Sequence, residues 1–317
     1  MSTEFIVLDG LRVALHHQPA VATGGRDRAA VLYIHGATFA STLAVFWRFD
    51  GISWADTLAA EGFDVFGIDQ LGFGASDRYP QMGQPALDAP PLGRAPDVVR
   101  QVAAAVDRIR TQLGVPRVHI VAHSWGTVAA ALFASACPSL VDRLVLFAPI
   151  VPRAGDGQPG PLPAWHLVTA EAQWQRFSGY VPAGQPQVLP GPWFDPWVAA
   201  FLDSDPAARE RRPPAVQVPA GPLADLADMA AGRAIHDPAL VRNPTLIVRG
   251  EWDPWPGDAD AQRLFAQLSG TSLKRDVKIG RGTHVMHLEV TRRALYGEVA
   301  AFLRGGDAEE RVSSAPP

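Results

Sequence analysis

Val121-Ala122-His123-Ser124-Trp125-Gly126 joins a short apolar run to an alanine-rich stretch, and its reading decides the fold. The run at 118–122 is apolar apart from His119, which suits a strand covered on both faces. The stretch at 125–136 reads as a helix and stops at Pro138. A serine between the two stands on a sharp turn with its hydroxyl pushed out at the C-terminal edge of a sheet. Small residues two before and two after it let strand and helix approach closely. The usual pattern is G-x-S-x-G. Here Ala122 takes the first glycine's place, adding one methyl where a small residue is needed. Taken alone, the six residues also fit a serine that merely caps its helix.

The same rhythm extends outward in both directions. Apolar runs at 30–34, 63–68, 144–147 and 245–248, and a shorter alternating one at 276–279, read as further strands, and helical stretches follow at 54–60, 97–113, 258–268 and 288–303. Ser53 suits the cap of the first of these helices, and Gly114 with Pro116 closes the second. Two alternating runs, 5–8 and 11–16, flank Asp9-Gly10, a dipeptide suited to a tight hairpin. Continuous apolar strands alternating with helices predict an α/β fold with a mostly parallel sheet of roughly eight strands, flanked by helices. Between 149 and 241 the rhythm breaks, proline and glycine become frequent, and large aromatics crowd in. Helical pieces at 164–177, 193–202 and 223–231 predict a helical, Trp/Pro-rich cap over 151–240. The cap interrupts a core of 1–150 and 241–304, and 305–317 reads as a small, polar, frayed tail.

Composition narrows the function classes. The 317 residues are 47% hydrophobic and 19% charged, ordinary for a globular protein, and the net charge of −4 gives no reason to expect a nucleic acid or an anionic membrane as partner. The single cysteine, Cys137, cannot form an intrachain disulfide. With no signal-peptide pattern and no run of apolar residues long enough to span a bilayer, the expected location is cytoplasmic. No metal-ligand cluster or phosphate-binding loop has adequate spacing, so no cofactor is expected. Oligomeric state is not legible.

A serine hydroxyl needs a base to take its proton. Of nine histidines, only His284 and His287 occupy the loop after the last strand, where an imidazole can meet Ser124 across the sheet edge. His284 is the first choice, with His287 three residues on packing at the start of the final helix. The base in turn needs a carboxylate to hold its tautomer. Asp253, in Gly250-Glu251-Trp252-Asp253 after the run at 245–248, is the first choice and Glu251 the second. Asp258 and Asp260 suit the opening of the next helix. Backbone donors for an oxyanion are expected at Trp125 and, from His35-Gly36-Ala37-Thr38, at Ala37 with Thr38 next.

Together these blocks resemble the α/β-hydrolase superfamily: His35-Gly36, then Asp69-Gln-Leu-Gly72-Phe-Gly74-Ala-Ser76, the serine turn, Gly250-Glu-Trp-Asp253 and Gly282-Thr-His284. They occur in that family's order of serine, acid and base, over roughly 5–150 and 241–304. The resemblance implies a structural role for Asp69. It also implies an ester-type hydrolase (carboxylic ester, lactone or thioester) working through an acyl-enzyme on Ser124. Haloalkane dehalogenases and epoxide hydrolases of this fold carry an aspartate nucleophile before their tryptophan-glycine, so Ser124 argues against both. Proline iminopeptidase, amidase and C–C bond hydrolase activities share the same scheme, and a lyase or a small-molecule receptor on this fold is the non-hydrolytic alternative. Phe39, Trp165, Trp174, Trp193, Trp197 and Trp252, with Tyr180 and Trp255 among the further aromatics nearby, are candidates to wall a pocket for a small to medium, largely apolar or aromatic substrate; the competing reading is that most of them glue cap to core.

Overall fold

Asp9 and Gly10 both adopt positive φ (50° and 81°), the geometry of a two-residue hairpin turn, and fold β1 (Ser2–Leu8) back on β2 (Leu11–Gln18). The computed structural model describes residues 1–21, 28–153 and 161–305. Beyond the hairpin run β3 (Ala29–Ile34), α1 (Trp54–Ala60), β4 (Phe63–Asp69), α2 (Ala95–Leu113), β5 (Val118–His123), α3 (Gly126–Ala136) and β6 (Val141–Phe147). Next come β7 (Trp165–Thr169), α4 (Ala170–Ser178), α5 (Gly191–Asp203), β8 (Ala215–Pro219) and α6 (Gly221–Ala230). The chain closes with β9 (Thr245–Gly250), α7 (Asp258–Gln267), β10 (Lys274–Ile279) and α8 (Arg292–Arg304). The predicted tail beyond 305 lies outside the described residues.

Eight strands form one sheet in the order β1-β2-β4-β3-β5-β6-β9-β10, parallel from β4 onward and antiparallel only around β2. Both faces are apolar, which is why the strands read as continuous runs. Val31, Tyr33, Val121, Val145, Phe147 and Val248 point to the side covered by α1 and α8. Leu32, Ile34, Ile120, Ala122, Leu146 and Ile247 point to the side covered by α2 and α3. β3 lies between β4 and β5, so the chain leaves the ends of β3 and β5 toward opposite faces and opens a crevice there.

The inserted region differs from its all-helical expectation. Residues 164–177, read as one helix, form a strand and then a helix: Trp165–Thr169 pairs antiparallel with Ala215–Pro219. The break falls at Thr169, whose hydroxyl caps α4 by accepting from the Ala172 N–H. The final helix begins at Arg292 rather than 288, because Met286–Leu288 forms a tight 3₁₀ turn first. Among the described residues no helix is long and apolar enough to cross a membrane.

Candidate active site

At the end of β5 the backbone turns through Ser124, whose φ of 55° is left-handed for a residue with a Cβ. Such a conformation costs on the order of 1–2 kcal/mol and persists only where neighbours over-determine it. The Ser124 N–H donates to Phe147 O at 2.9 Å, pinning the turn to β6. Gly126 packs its Cα onto the end of β3; a methyl there would sit 2.8 Å from Ile34 O and closer still to His35 O. Gly36 lies close on the other side too, where an added Cβ would meet that of Ser124 at 3.1 Å.

The loops after β9 and β10 are bound to each other before they reach the serine. Trp252 N–H donates to Gly282 O at 2.9 Å, and Gly250 has no room for a side chain against the Gly282 carbonyl. This contact carries Asp253 to His284. Both carboxylate oxygens lie within 3.1 Å of His284 Nδ1, and Oδ1 also accepts the Trp255 N–H at 2.8 Å. On the opposite edge of the ring, Nε2 is 2.8 Å from Ser124 Oγ. The three groups are buried, with Ser124 6%, Asp253 5% and His284 9% exposed, so little water competes for their hydrogen bonds.

Neighbouring side chains hold this chain of contacts in place. His123 Nε2–H donates to His284 O at 2.9 Å, linking nucleophile turn to base loop, and burial drives its pKa well down, keeping it a neutral donor. Glu289, fully buried, accepts from the Thr283 N–H at 3.1 Å and from the Thr283 hydroxyl. Burial, reinforced by the nearby Asp253 charge, pushes its pKa up to about 7. His35 donates to Gly36 O through Nδ1 and accepts the Gln70 N–H through Nε2, holding the loop after β3. Asp69 is structural in geometry, taking His16 Nε2–H and the N–H groups of Ser41 and Ala75. The Ala37 and Trp125 N–H groups have no intramolecular acceptor among the described residues, and both residues face the cavity beside Ser124. Trp125 also precedes the first turn of α3, where the helix dipole favours negative charge.

The alternatives weighed in the sequence are placed elsewhere. Glu251 accepts the Arg281 N–H at 2.9 Å, away from the imidazoles. Asp258 pairs with Arg249 and Lys278, and Asp260 with Arg153 and Arg263. His287 is fully buried among Phe39, His123 and Phe147 with both ring nitrogens unpartnered, and burial pushes its pKa down to about 3.

Ser124 and His284 open into a cavity of about 450 Å³, a size suited to a small ligand. Its wall corrects most of the aromatic expectation: Tyr180 and Trp255 line it, but Phe39, Trp165, Trp174, Trp193, Trp197 and Trp252 do not. Phe39 and Trp197 are buried between cap and core, the Trp197 indole donating to Leu43 O at 2.9 Å. Trp165 donates to Gln84 O, Trp174 packs on Phe194, Trp193 lies against Phe49 and Arg292, and Trp252 lies under Arg281. Large rings gain most where they are fully covered, and that place is the cap–core seam. The wall is built instead by α6 (Pro222, Leu223, Leu226, Ala227, Met229, Ala230), by Ile150, Val151 and Val285, and by Trp255, Tyr180, His166, Arg153 and Arg176. The sequence marked the helix at 223–231 but not that its apolar face would form this wall. Asp225, on that helix, accepts the Trp125 indole N–H at 3.1 Å and the Ala95 N–H at 2.8 Å, docking α6 over the serine turn.

The family described as "alpha/beta hydrolase fold" matches residues 29–290. Epoxide hydrolase 1 of Caenorhabditis elegans is 28% identical over 134 residues, which span 42% of this chain but only 28% of that protein's length. Among solved structures, epoxide hydrolase A from Mycobacterium thermoresistibile superposes with a TM-score of 0.65 at 17% identity, covering 96% of this chain and 98% of that one. A serine hydrolase from the polyaromatic hydrocarbon-degrading bacterium Cycloclasticus zankles gives 0.64 at 16%, again covering 96% and 98%. At such identities these structures speak for the fold. The match to the family runs through most of the sheet and the loops at its C-terminal edge, so the chain belongs to the α/β hydrolase fold family.

Proposed function

We propose that the protein cleaves an ester-type bond (a carboxylic ester, lactone or thioester) of a small to medium, largely apolar substrate through an acyl-enzyme on Ser124. The observation that carries this reading is the 2.8 Å contact from Ser124 Oγ to His284 Nε2, with Asp253 behind the ring at 3.0 Å. His284 accepts the hydroxyl proton as Oγ bonds to the substrate carbonyl carbon. The N–H groups of Trp125 and Ala37 meet the oxyanion, and Asp253 stabilises the imidazolium. The imidazolium returns its proton to the leaving group as the carbonyl re-forms. Water, deprotonated by His284, then attacks the acyl carbon and Ser124 is released.

Two relatives are named epoxide hydrolases, and chemistry separates them from this reading. An alkoxide opening an epoxide leaves an ether, which offers water no carbonyl to attack, so turnover would stop. The wall of the cavity supports an apolar acyl or alkoxy group, and among the described residues no carboxylate lines it to receive a substrate amine, which disfavours an aminopeptidase. Residues 151–240 serve, in this reading, as a cap on a core of 1–150 and 241–304.

The test is a screen of aryl esters, lactones, thioesters and aminoacyl-proline amides, with rapid mixing to detect a burst and mass spectrometry to find the acyl group on Ser124. Ser124→Ala is expected to lose on the order of 10³-fold or more in kcat while folding normally. Retained turnover in that variant overturns the assignment. Product formed without incorporation of solvent oxygen would make the protein a lyase instead.

A further inference from the structure

The cavity holds two arginines in different electrostatic situations. Arg153 is neutralised by Asp260 and stacks over Trp255 at 4.0 Å. Arg176, on α4, has no ion pair or hydrogen bond among the described residues. Its side chain is accessible, yet surrounding protein lowers its pKa by desolvation, as happens when a guanidinium opens into a cavity rather than into bulk water. Beside it stands His166, whose Nδ1 is buried without a partner. Burial first, and the Arg176 charge second, push the His166 pKa down to about 4, so it is neutral and free to share a hydrogen bond. A guanidinium that opens into a cavity without a counter-ion is placed to pair with an anionic group of a ligand. Among the described residues no side chain supplies that counter-ion.

We infer that Arg176, assisted by His166, is a subsite for a carboxylate at one end of the substrate, so that the natural substrate is an ester with an apolar body and one anionic terminus. The inference rests on the proposed hydrolase reading and narrows its substrate class. A guanidinium matches a carboxylate in a two-pronged hydrogen bond, which a single arginine satisfies. A sphere of the cavity's 450 Å³ is about 10 Å across, so a carboxylate held here and a carbonyl at Ser124 fit on one small molecule. The other walls, Leu223, Leu226 and Met229 of α6 with Val285, suit the methylene or aryl stretch between.

The carboxylate can belong to the acyl group or to the leaving group, and two substrate pairs separate these. Mono-4-nitrophenyl adipate against its methyl ester tests the acyl side; 4-acetoxybenzoate against methyl 4-acetoxybenzoate tests the leaving-group side. In one pair, kcat/KM for the free carboxylate is expected to exceed that of its masked partner by roughly 10- to 100-fold, mainly through KM. Arg176→Gln should bring that ratio toward one, and Arg176→Lys should restore part of it. Masked and free substrates turned over equally, or a ratio untouched by Arg176→Gln, overturns the subsite and leaves the hydrolase reading standing. Should no ester be turned over, the hydrolase reading fails, and the subsite is then decided by calorimetry with adipate and 4-hydroxybenzoate. Binding lost in Arg176→Gln supports it, whereas absent or unaltered binding overturns it.

Discussion

Glu289→Gln tests how a buried acid beneath the histidine loop responds to pH. The carboxyl is fully buried, and burial raises its pKa from 4.5 to about 7. Below pH 4.5 the group is protonated in both folded and unfolded chains and carries no penalty. As pH rises from 4.5 to 7 the unfolded chain loses the proton while the folded one keeps it, so stability falls with pH. Above 7 the loss is complete. The gap between 4.5 and about 7 corresponds to about 3 kcal/mol. Glutamine keeps the shape: its oxygen can accept the Thr283 N–H while its amide donates to the Thr283 hydroxyl. The variant should therefore match the native protein near pH 4.5 and become more stable than it above pH 7. For a chain of 317 residues about 3 kcal/mol corresponds to a difference of roughly 4–5 °C in Tm. Urea or thermal unfolding of both proteins from pH 4.5 to 9 measures this, and other titrating groups cancel in the difference. Parallel curves for the two proteins would refute the reasoning.

Two further substitutions probe the site's construction. His287→Phe removes two unpartnered buried nitrogens from an aromatic box, so stability should hold or rise and kcat should stay within a few-fold, while His284→Ala loses three orders of magnitude or so; steady-state kinetics that reversed this order would exchange the two roles. Gly126→Ala places a methyl against the backbone carbonyls of Ile34 and His35, forcing β3 and α3 apart at a cost of about 1–3 kcal/mol and shifting the Ala37 loop. A lowered Tm and a reduced kcat are expected together, and an unchanged Tm would mean that the turn has slack.

Much of the core was legible because local rules and global fold agree there. The apolar runs announce strands buried on both faces, and the small residues at Gly36 and Gly126 mark where backbones must touch. The meeting of Ser124, Asp253 and His284 follows from their positions just after three strands of a parallel sheet, since such loops share one edge. The cap was read less well, and for a physical reason. Strands Trp165–Thr169 and Ala215–Pro219 are far apart in the chain and become strands only by pairing with each other.

By itself, then, the sequence determined the layered α/β architecture and the three side chains that converge at its edge, because periodicity, glycine positions and strand-end loops are local properties of the chain. Tertiary structure alone decided which side chains face the cavity. The orientation of α4 and α6 depends on how the cap docks, through Asp225 to Trp125 and Trp197 to Leu43, and those contacts join residues a hundred or more positions apart. Docking drew Phe39, Phe177 and Trp197 into the seam, where burial stabilises most, and left α6's smaller side chains, with Tyr180, Trp255 and Arg176, to line the cavity beside Ser124.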